Sequence, residues 1–463
     1  MPANTLREQK HSDVEPCQQE RFGTPLHIIK RRPRVVIVGA GFGGINAARA
    51  LGNRDVDVLV LNRTNYHGFW MMLYQVASAQ IEPEVIAQPV RAMLRRYHNV
   101  QFRVADVQGV DLERRIVETD SEDIPYDYLV LAAGSTTQYF GNEERRQQTL
   151  GMHDLSEAEQ LRDRVLTAFE QASHEPDLTR RKALMTIVVV GGGPTGVEWA
   201  GAFTELVHGS LAKDYPLLDM SSARVVLVES SSTILSVFPT TLQRNAQRKL
   251  ERLGVELRVG TAVTNVDHGM VMLADGSAYE AHTVVWAAGV RAGPLADALG
   301  VALGRGARVP VQPTLNLADH PEVFVVGDMA YLENADGAAY PMVAQVAMQM
   351  GKQAGANILA LNRGSKPRPF KYFDFGQMAM VGRGGALFDS FGVHLAGILG
   401  WCVWLAVHLF YLPGLRNRLV ALLDWLGTMI TGEAGVRTTM TSIVEEDAIP
   451  RDHLISRSLS LRA

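Results

Sequence analysis

In Val35-Val36-Ile37-Val38-Gly39-Ala40-Gly41-Phe42-Gly43-Gly44-Ile45-Asn46-Ala47-Ala48, β-branched residues pass directly into a Gly-x-Gly-x-x-Gly pattern and then into helix-forming residues. The apolar run reads as a strand buried on both faces. Strand, glycine turn and helix in that order are what a dinucleotide pyrophosphate needs. Gly39 permits the tight turn, Gly41 lets backbone approach phosphate, and Gly44 lets helix and strand pack closely. The helix start supplies free N–H groups and partial positive charge.

Working outward, a second strand is expected over 56–61, ending in Asn62-Arg63. An acid usually stands at that strand end to bind ribose hydroxyls. Asn62 departs from this, but an amide can donate to and accept from a ribose. The same grammar recurs at Thr186-Ile187-Val188-Val189-Val190, followed by Gly191-Gly192-Gly193-Pro194-Thr195-Gly196 and a helix from Val197 to Leu206. The next strand, Arg224 to Val228, ends in Glu229, whose carboxylate would bind a ribose 2′-hydroxyl and repel a 2′-phosphate. Residues 207–220, an unusually long interval, read as extended helix and loop. Each unit closes on a similar strand, ending at Ala132-Ala133-Gly134 and Ala287-Ala288-Gly289.

A lone glycine cradle is weak, but two complete copies imply two dinucleotides. Hydride exchange between a nicotinamide and a flavin is the economical use of both. Val323-Phe324-Val325-Val326-Gly327-Asp328 adds a buried strand ending in a carboxylate suited to a flavin polyol chain. Taken alone, Gly327-Asp328 equally fits an ordinary strand-ending turn. Its position after the second unit implies that the first unit resumes there, with the second inserted.

Composition narrows the classes. With 463 residues, 47% apolar and 20% charged, the chain is globular and long enough for two or three cores. A net charge of -4 gives no nucleic-acid signature. Cys17 and Cys402 are the only cysteines, which excludes a CxxC redox pair, a thiolate zinc cage and a cysteine-ligated cluster, and points to a reducing compartment. No metal site is expected. The fold expected is α/β, with two Rossmann-like dinucleotide-binding domains and a C-terminal helical membrane-anchoring region. Its expected divisions are a mobile tail over 1–32, a first FAD-binding part over 33–150 and an inserted NADH-binding domain over 151–305. A second FAD-binding part over 306–385, anchoring helices over 386–435 and a mobile tail over 436–463 follow. In the first tail, Lys30, Arg31 and Arg32, with nearby Arg34, offer lipid contact as an alternative to simple mobility.

The chain resembles the type II NADH dehydrogenases, single-chain NADH:quinone oxidoreductases, over residues 33 to 435. The cradles and Gly327-Asp328 belong to a wider flavoprotein superfamily. More specific are Asn65-Tyr66-His67, Leu73-Tyr74-Gln75-Val76-Ala77 and Gly192-Gly193-Pro194-Thr195-Gly196-Val197-Glu198. Most diagnostic are Ala344-Gln345-Val346-Ala347-Met348-Gln349 and the block containing Arg416-Asn417-Arg418-Leu419. Gly68-Phe69-Trp70-Met71-Met72 departs from the family's commoner proline-containing version.

The resemblance implies non-covalent FAD along Gly39, Gly41 and Gly44, with Asn62 and Arg63 at its ribose, Asp328 at its polyol chain, and Ala133, Gly134 and Gln345 close by. It implies NADH along Gly191, Gly193 and Gly196, with Glu229 on its ribose. It further implies a peripheral, monotopic homodimer on the cytoplasmic face of the cell membrane. Such an enzyme reduces menaquinone or ubiquinone without pumping protons.

Gln345 and Gln349 share one helical face, and their amides could reach quinone or flavin oxygens without bringing charge into an apolar pocket. Apolar Val343, Val346, Ala347 and Met350 would line that pocket. Unaided, the residues favour two glutamines on a solvated or backbone-bonding face, and it is the resemblance that turns the reading toward a ligand. Glu198, in the first turn after the second cradle, unaided suits the helix dipole. By resemblance it is a proton relay with a raised pKa.

Residues 393–412 are apolar and long enough to span a bilayer, but His394, His408 and their aromatic neighbours favour a helix lying in one leaflet. After Pro413-Gly414, an amphipathic helix is expected over 415–431, with Leu415, Leu419, Leu422, Leu426 and Met429 opposite Asn417, Asp424 and Thr428. Arg416 and Arg418 would meet lipid phosphates. Deletion beyond Phe388 is then expected to release the protein from membranes with FAD still bound. A membrane-associated flavoprotein acting as a redox sensor, or reducing another acceptor, is the alternative reading.

Overall fold

The computed structural model describes residues 31–439, so expectations for the tails before 31 and after 439 lie outside the described residues. β1 (Arg34–Val38), α1 (Phe42–Leu51), β2 (Asp57–Asn62), β3 (Val100–Val104) and β4 (Tyr128–Leu131) form a first parallel layer. β5 (Thr186–Val190), α2 (Pro194–Glu205), β6 (Arg224–Glu229), β7 (Val255–Val259) and β8 (Thr283–Trp286) form a second, with strand order β7-β6-β5-β8. β9 (Val323–Val325) then pairs with β4, which gives the first sheet the order β9-β4-β1-β2-β3. The β-branched strands sit with both faces covered: all of β5 is buried. A short antiparallel ribbon, Ser135–Thr137 with Val290–Ala292, links the loops that leave β4 and β8.

The long interval after the second cradle is a π turn over Leu206–Leu211, one α turn over Ala212–Asp214, and loop. α3 (Ala344–Asn362) packs on α1 at glycines. A Cβ on Gly351 would lie 2.0 Å from the Gly43 carbonyl oxygen, so the helices meet backbone to backbone. This contact holds the start of α3 beside the first glycine turn.

β10 (Gln377–Met380), β11 (Ala386–Ser390) and β12 (Val393–Leu395) form an antiparallel sheet before α4 (Ile398–Tyr411) and α5 (Leu415–Thr431). Residues 393–395 are therefore strand, which corrects the continuous apolar helix read from the sequence. The 14 residues of α4 give a length of roughly 21 Å, short of the ~30 Å hydrocarbon core. No helix among the described residues is long and apolar enough to cross a membrane.

α5 is amphipathic, but its polar-bearing face is the one turned inward. Asn417, Ala421 and Trp425 are buried, while Leu415, Leu419, Leu423, Leu426 and Ile430 are exposed. Trp425 donates its indole N–H to Gln75 Oε1 at 2.8 Å, and its ring lies 5.2 Å from that of Trp404. Asn417 donates to the Glu84 and Ala87 carbonyls. Arg418 donates to the Phe410 and Leu412 carbonyls at the end of α4, so its guanidinium closes a helix terminus rather than facing lipid. His408, read as an interruption of the apolar run, is buried, stacked on Trp404 and bonded to the Trp404 carbonyl.

Trp404, Leu412, Ala421 and Trp425 belong to the same core as Trp199, Val189 and Tyr74. Deletion beyond Phe388 would thus strip large side chains from that core. The expected clean release with FAD retained is corrected accordingly.

Candidate functional site

Each glycine turn is shaped by contacts that exclude a side chain. Gly39 has φ +102°, and a Cβ there would lie 2.3 Å from the Ala132 carbonyl oxygen. A Cβ on Gly44 would lie 1.8 Å from the Gly39 carbonyl oxygen. The second turn repeats this at Gly191, 2.5 Å from the Ala287 oxygen, and at Gly196, 1.8 Å from the Gly191 oxygen.

Gly41 and Gly193, by contrast, face open space. They are the N-caps of α1 and α2, and neither helix start is capped by a side chain. Unpaired N–H groups at a helix start, beside a void, fit a pyrophosphate in each cradle. Gly134, with φ +75°, also faces open space beyond β4, and Ala133 beside it is exposed.

The strand ends differ in an instructive way. Glu229 Oε2 accepts the Gly192 amide at 2.6 Å, and Oε1 accepts the Ser231 amide at 2.7 Å. Burial works against its ionisation, but these hydrogen bonds hold its carboxyl below the usual range. In the first unit, Asn62 Oδ1 accepts the Ala40 amide at 2.9 Å, the matching position. The asparagine keeps the acid's hold on the glycine turn while its Nδ2 is directed to Thr64. What the first cradle loses is the charge, not the turn. Arg63 beside it is exposed.

His67, which the sequence reading left without a role, completes this turn. It is buried, its Nδ1 is bonded to the Ala40 carbonyl at 2.8 Å, and burial lowers its pKa to about 4. Its position 27 residues after Ala40 carries no local signal.

Asp328 follows β9 and accepts the Ser135 hydroxyl at 2.7 Å; burial raises its pKa, opposed by that bond and by His153 and Arg308. Gly327 has φ +68°, and a Cβ on it would press on Ala347 of α3. The first cradle, Asp328 and the start of α3 therefore converge.

From there the backbone of segment 373–383 meets four polar side chains in order. Gln349 donates to the Phe373 carbonyl and accepts the Phe373 amide. Gln345 donates to the Gly376 carbonyl at 2.8 Å and accepts the Phe375 amide. Glu198 accepts the Met380 amide at 3.1 Å, and Glu205 accepts the Arg383 amide.

Both glutamines are thus engaged with backbone, the reading the residues alone favoured. Each amide still has a second N–H to offer a ligand. Val346 and Met350 point into the core and do not wall a pocket; Val343 is exposed. Near these glutamines, Phe373, Phe375 and Phe391 form an exposed aromatic cluster, with ring centroids 4.8 and 5.9 Å apart, that pattern reading did not pick out.

Glu198 lines a cavity whose polar walls also include Glu205, Gln75 and Arg383, with Trp404 and Trp425 beside them. The void leaves Glu198 partly accessible, though protein crowds its carboxyl. Burial pushes its pKa up to about 8, against the pull of the Met380 amide. Two glycine turns with uncapped helix starts, an exposed aromatic cluster and a carboxyl whose pKa burial raises thus lie on one body that starts at Pro33.

Residues 33–351 match the family model described as pyridine nucleotide-disulphide oxidoreductase. The chain is 39% identical over 452 residues to a type II NADH:quinone oxidoreductase of Mycobacterium tuberculosis, covering 94% of this chain and 95% of that one. It is 28% identical over 376 residues to a type II NADH:quinone oxidoreductase of Staphylococcus aureus, covering 79% and 92%. The solved structure of NDH2 from Plasmodium falciparum in complex with NADH superposes with a TM-score of 0.81 at 17% identity, over 89% of this chain and all of that one; it shares the fold.

Proposed function

The chain belongs to the type II NADH:quinone oxidoreductases of the pyridine nucleotide-disulphide oxidoreductase family, and on that premise we propose that it carries reducing equivalents from NADH through FAD to a membrane quinone. The observation that carries this reading is the pair of uncapped helix starts, Gly41 and Gly193, each facing open space beside a glycine turn. FAD, when bound, supplies the two-electron relay between a hydride donor and the quinone. Gly39, Gly41, Gly44, Asn62, Arg63, Ala133, Gly134, Asp328 and Gln345 would hold it. Gly191, Gly193, Gly196 and Glu229 would hold NADH, with the Glu229 carboxylate disfavouring a 2′-phosphate.

The sequence holds only Cys17 and Cys402, which form no CxxC pair, and among the described residues the one cysteine, Cys402, lies exposed on α4. Electrons therefore have no disulfide to visit on their way to the acceptor. A hydride brings two electrons and one proton, whereas a quinol carries two of each. With burial raising its pKa to about 8, Glu198 would hold the other proton at neutral pH and donate it. Gln345 and Gln349 would orient the quinone with their remaining N–H groups. The divisions at 33–150, 151–305 and 306–385 are proposed as the FAD, NADH and resumed FAD parts.

Anaerobic rapid mixing tests the reading. The flavin absorbance is expected to bleach with NADH at least tenfold faster than with NADPH, and to recover on adding a short-chain menaquinone or ubiquinone. A flavin that stays inert to both nucleotides would instead make the protein a sensor.

We further propose that α4, α5 and the Phe373–Phe375–Phe391 cluster rest on one leaflet at the cytoplasmic face of the cell membrane, peripherally and without pumping protons, in a homodimer. Exposed Leu415, Leu423 and Ile430 (73, 67 and 83% accessible) support this, because exposed apolar side chains on this scale mark an interaction surface. Leu423→Glu with Ile430→Glu is expected to lower liposome binding at least tenfold while leaving the melting temperature within about 2 °C, since neither residue packs inward. Unchanged co-sedimentation with lipid would remove α5 from the membrane surface.

A further inference from the structure

Segment 373–383 serves as a ruler through the site. Its backbone meets Gln349 at Phe373, Gln345 at Phe375 and Gly376, Glu198 at Met380 and Glu205 at Arg383. The glutamines therefore lie on one side of Glu198 along this segment, and Glu205 lies on the other. On α2, Glu198 and Glu205 are seven residues apart, which puts them on one face about 10 Å apart along the axis. Both line the same cavity, together with Gln75, Gln80, Arg383 and Thr428.

That cavity measures ≈ 40 Å³. At roughly 10–15 Å³ per water centre it holds about three waters, which is too little room for a quinone ring. Its polar lining gives such waters partners. The groups facing Glu205 are Arg383, through its amide and guanidinium, and Lys249, which donates to the Arg383 carbonyl at 2.9 Å; Tyr74 and Glu198 lie further in. Glu205 is densely surrounded, but part of it remains accessible to solvent.

We propose that Glu205 and this hydrated cavity form the proton inlet that recharges Glu198. The inlet rests on the reading of Glu198 as the donor to quinone. Per turnover, Glu198 gives one proton to the quinone oxygen and becomes a carboxylate. A cavity water then protonates it, Glu205 restores that water, and solvent restores Glu205. NADH, one solvent proton and quinone thus yield NAD⁺ and quinol with atoms and electrons balanced. Glu205 touches no reacting atom, so it acts as a positioning and relay group.

The test uses the full-length, FAD-loaded protein, reduced by NADH anaerobically and then mixed with a short-chain ubiquinone. Glu205→Gln is expected to lower the ratio of flavin reoxidation rate to flavin reduction rate at least tenfold at pH 7. It should also enlarge the solvent deuterium isotope effect on reoxidation, and millimolar azide or formate should restore the rate. Glu198→Gln should lower the same ratio without rescue. A slow Glu198→Gln beside a Glu205→Gln that reoxidises normally overturns the inlet and leaves Glu198 as donor. Normal reoxidation in both variants removes the donor reading and the inlet together. A slow Glu205→Gln that ignores weak acids and shows an unchanged isotope effect also overturns the inlet, because a purely structural defect behaves that way. Thr428→Leu fills the cavity from α5 and leaves both carboxyls in the sequence; it carries the same expectation if Glu205→Gln fails to retain FAD.

Discussion

Glu198→Gln is expected to stabilise the folded protein above neutral pH and to slow quinone-driven reoxidation of the flavin on the order of a hundredfold at pH 7, within the range general-acid groups supply. Both effects have one cause. Burial raises the Glu198 carboxyl from 4.5 to about 8, so the folded chain binds a proton that the unfolded chain releases. Stability attributable to this group is therefore greatest below pH ~4.5 and is lost progressively as pH rises to ~8. At ~1.4 kcal/mol per pKa unit the loss is about 3–5 kcal/mol. Glutamine keeps an oxygen for the Met380 amide and carries no ionisable proton. Thermal melts at pH 5 and pH 8.5 should accordingly converge in the variant relative to the parent. The parent's reoxidation rate should also fall above pH ~8, where its donor is deprotonated, while the variant's should stay flat. Parallel pH dependences of melting temperature in the two proteins would falsify the assignment of the proton to Glu198.

The second large effect is at Gly44. Gly44→Ala is expected to yield protein with less than a tenth of the parent's FAD, measured by flavin absorbance against protein concentration. The new Cβ would lie 1.8 Å from the Gly39 carbonyl oxygen, a backbone atom that cannot swing aside. α1 must then separate from β1, and the turn that aims its N–H groups opens. Two companions separate cradle geometry from general damage. Gly41→Ala meets no atom within 4 Å, so its apoprotein should melt like the parent while FAD binds more weakly, because the methyl occupies the approach reserved for phosphate. Gly427→Ala on α5 also meets nothing and should retain FAD with stability raised by about 0.5–1 kcal/mol. Full FAD content in Gly44→Ala would sink the account of the first cradle.

These two residues also mark the limits of what pattern reading can reach. Gly44 was legible because its constraint is short-range: a glycine must stand five residues after the one at the strand's turn, and spacing alone records that. Glu198 was legible as a residue type at a family position, but its raised pKa depends on β10, α4 and α5 closing around it. Asn62 looked like a weakened ribose contact; the structure turns it into a substitute that still holds the Ala40 amide. Gln345 and Gln349 share a helical face as expected, yet it is segment 373–376, more than twenty residues on, that takes up their amides.

The C-terminal helices sharpen the contrast. Hydropathy located them and their amphipathic pattern, but a period of 3.6 says only that two faces differ, not which one meets the protein. Gln75 decides that: its Oε1 captures the Trp425 indole across 350 residues and turns the leucines outward. By itself, the sequence determined the two cradles, their helices and the absence of a disulfide relay, because each rests on neighbours along the chain or on composition. The tertiary structure alone decided which way α5 faces, how the glutamine amides are spent, and that burial raises the Glu198 pKa. Desolvation and long-range packing have no period that a linear pattern could reveal.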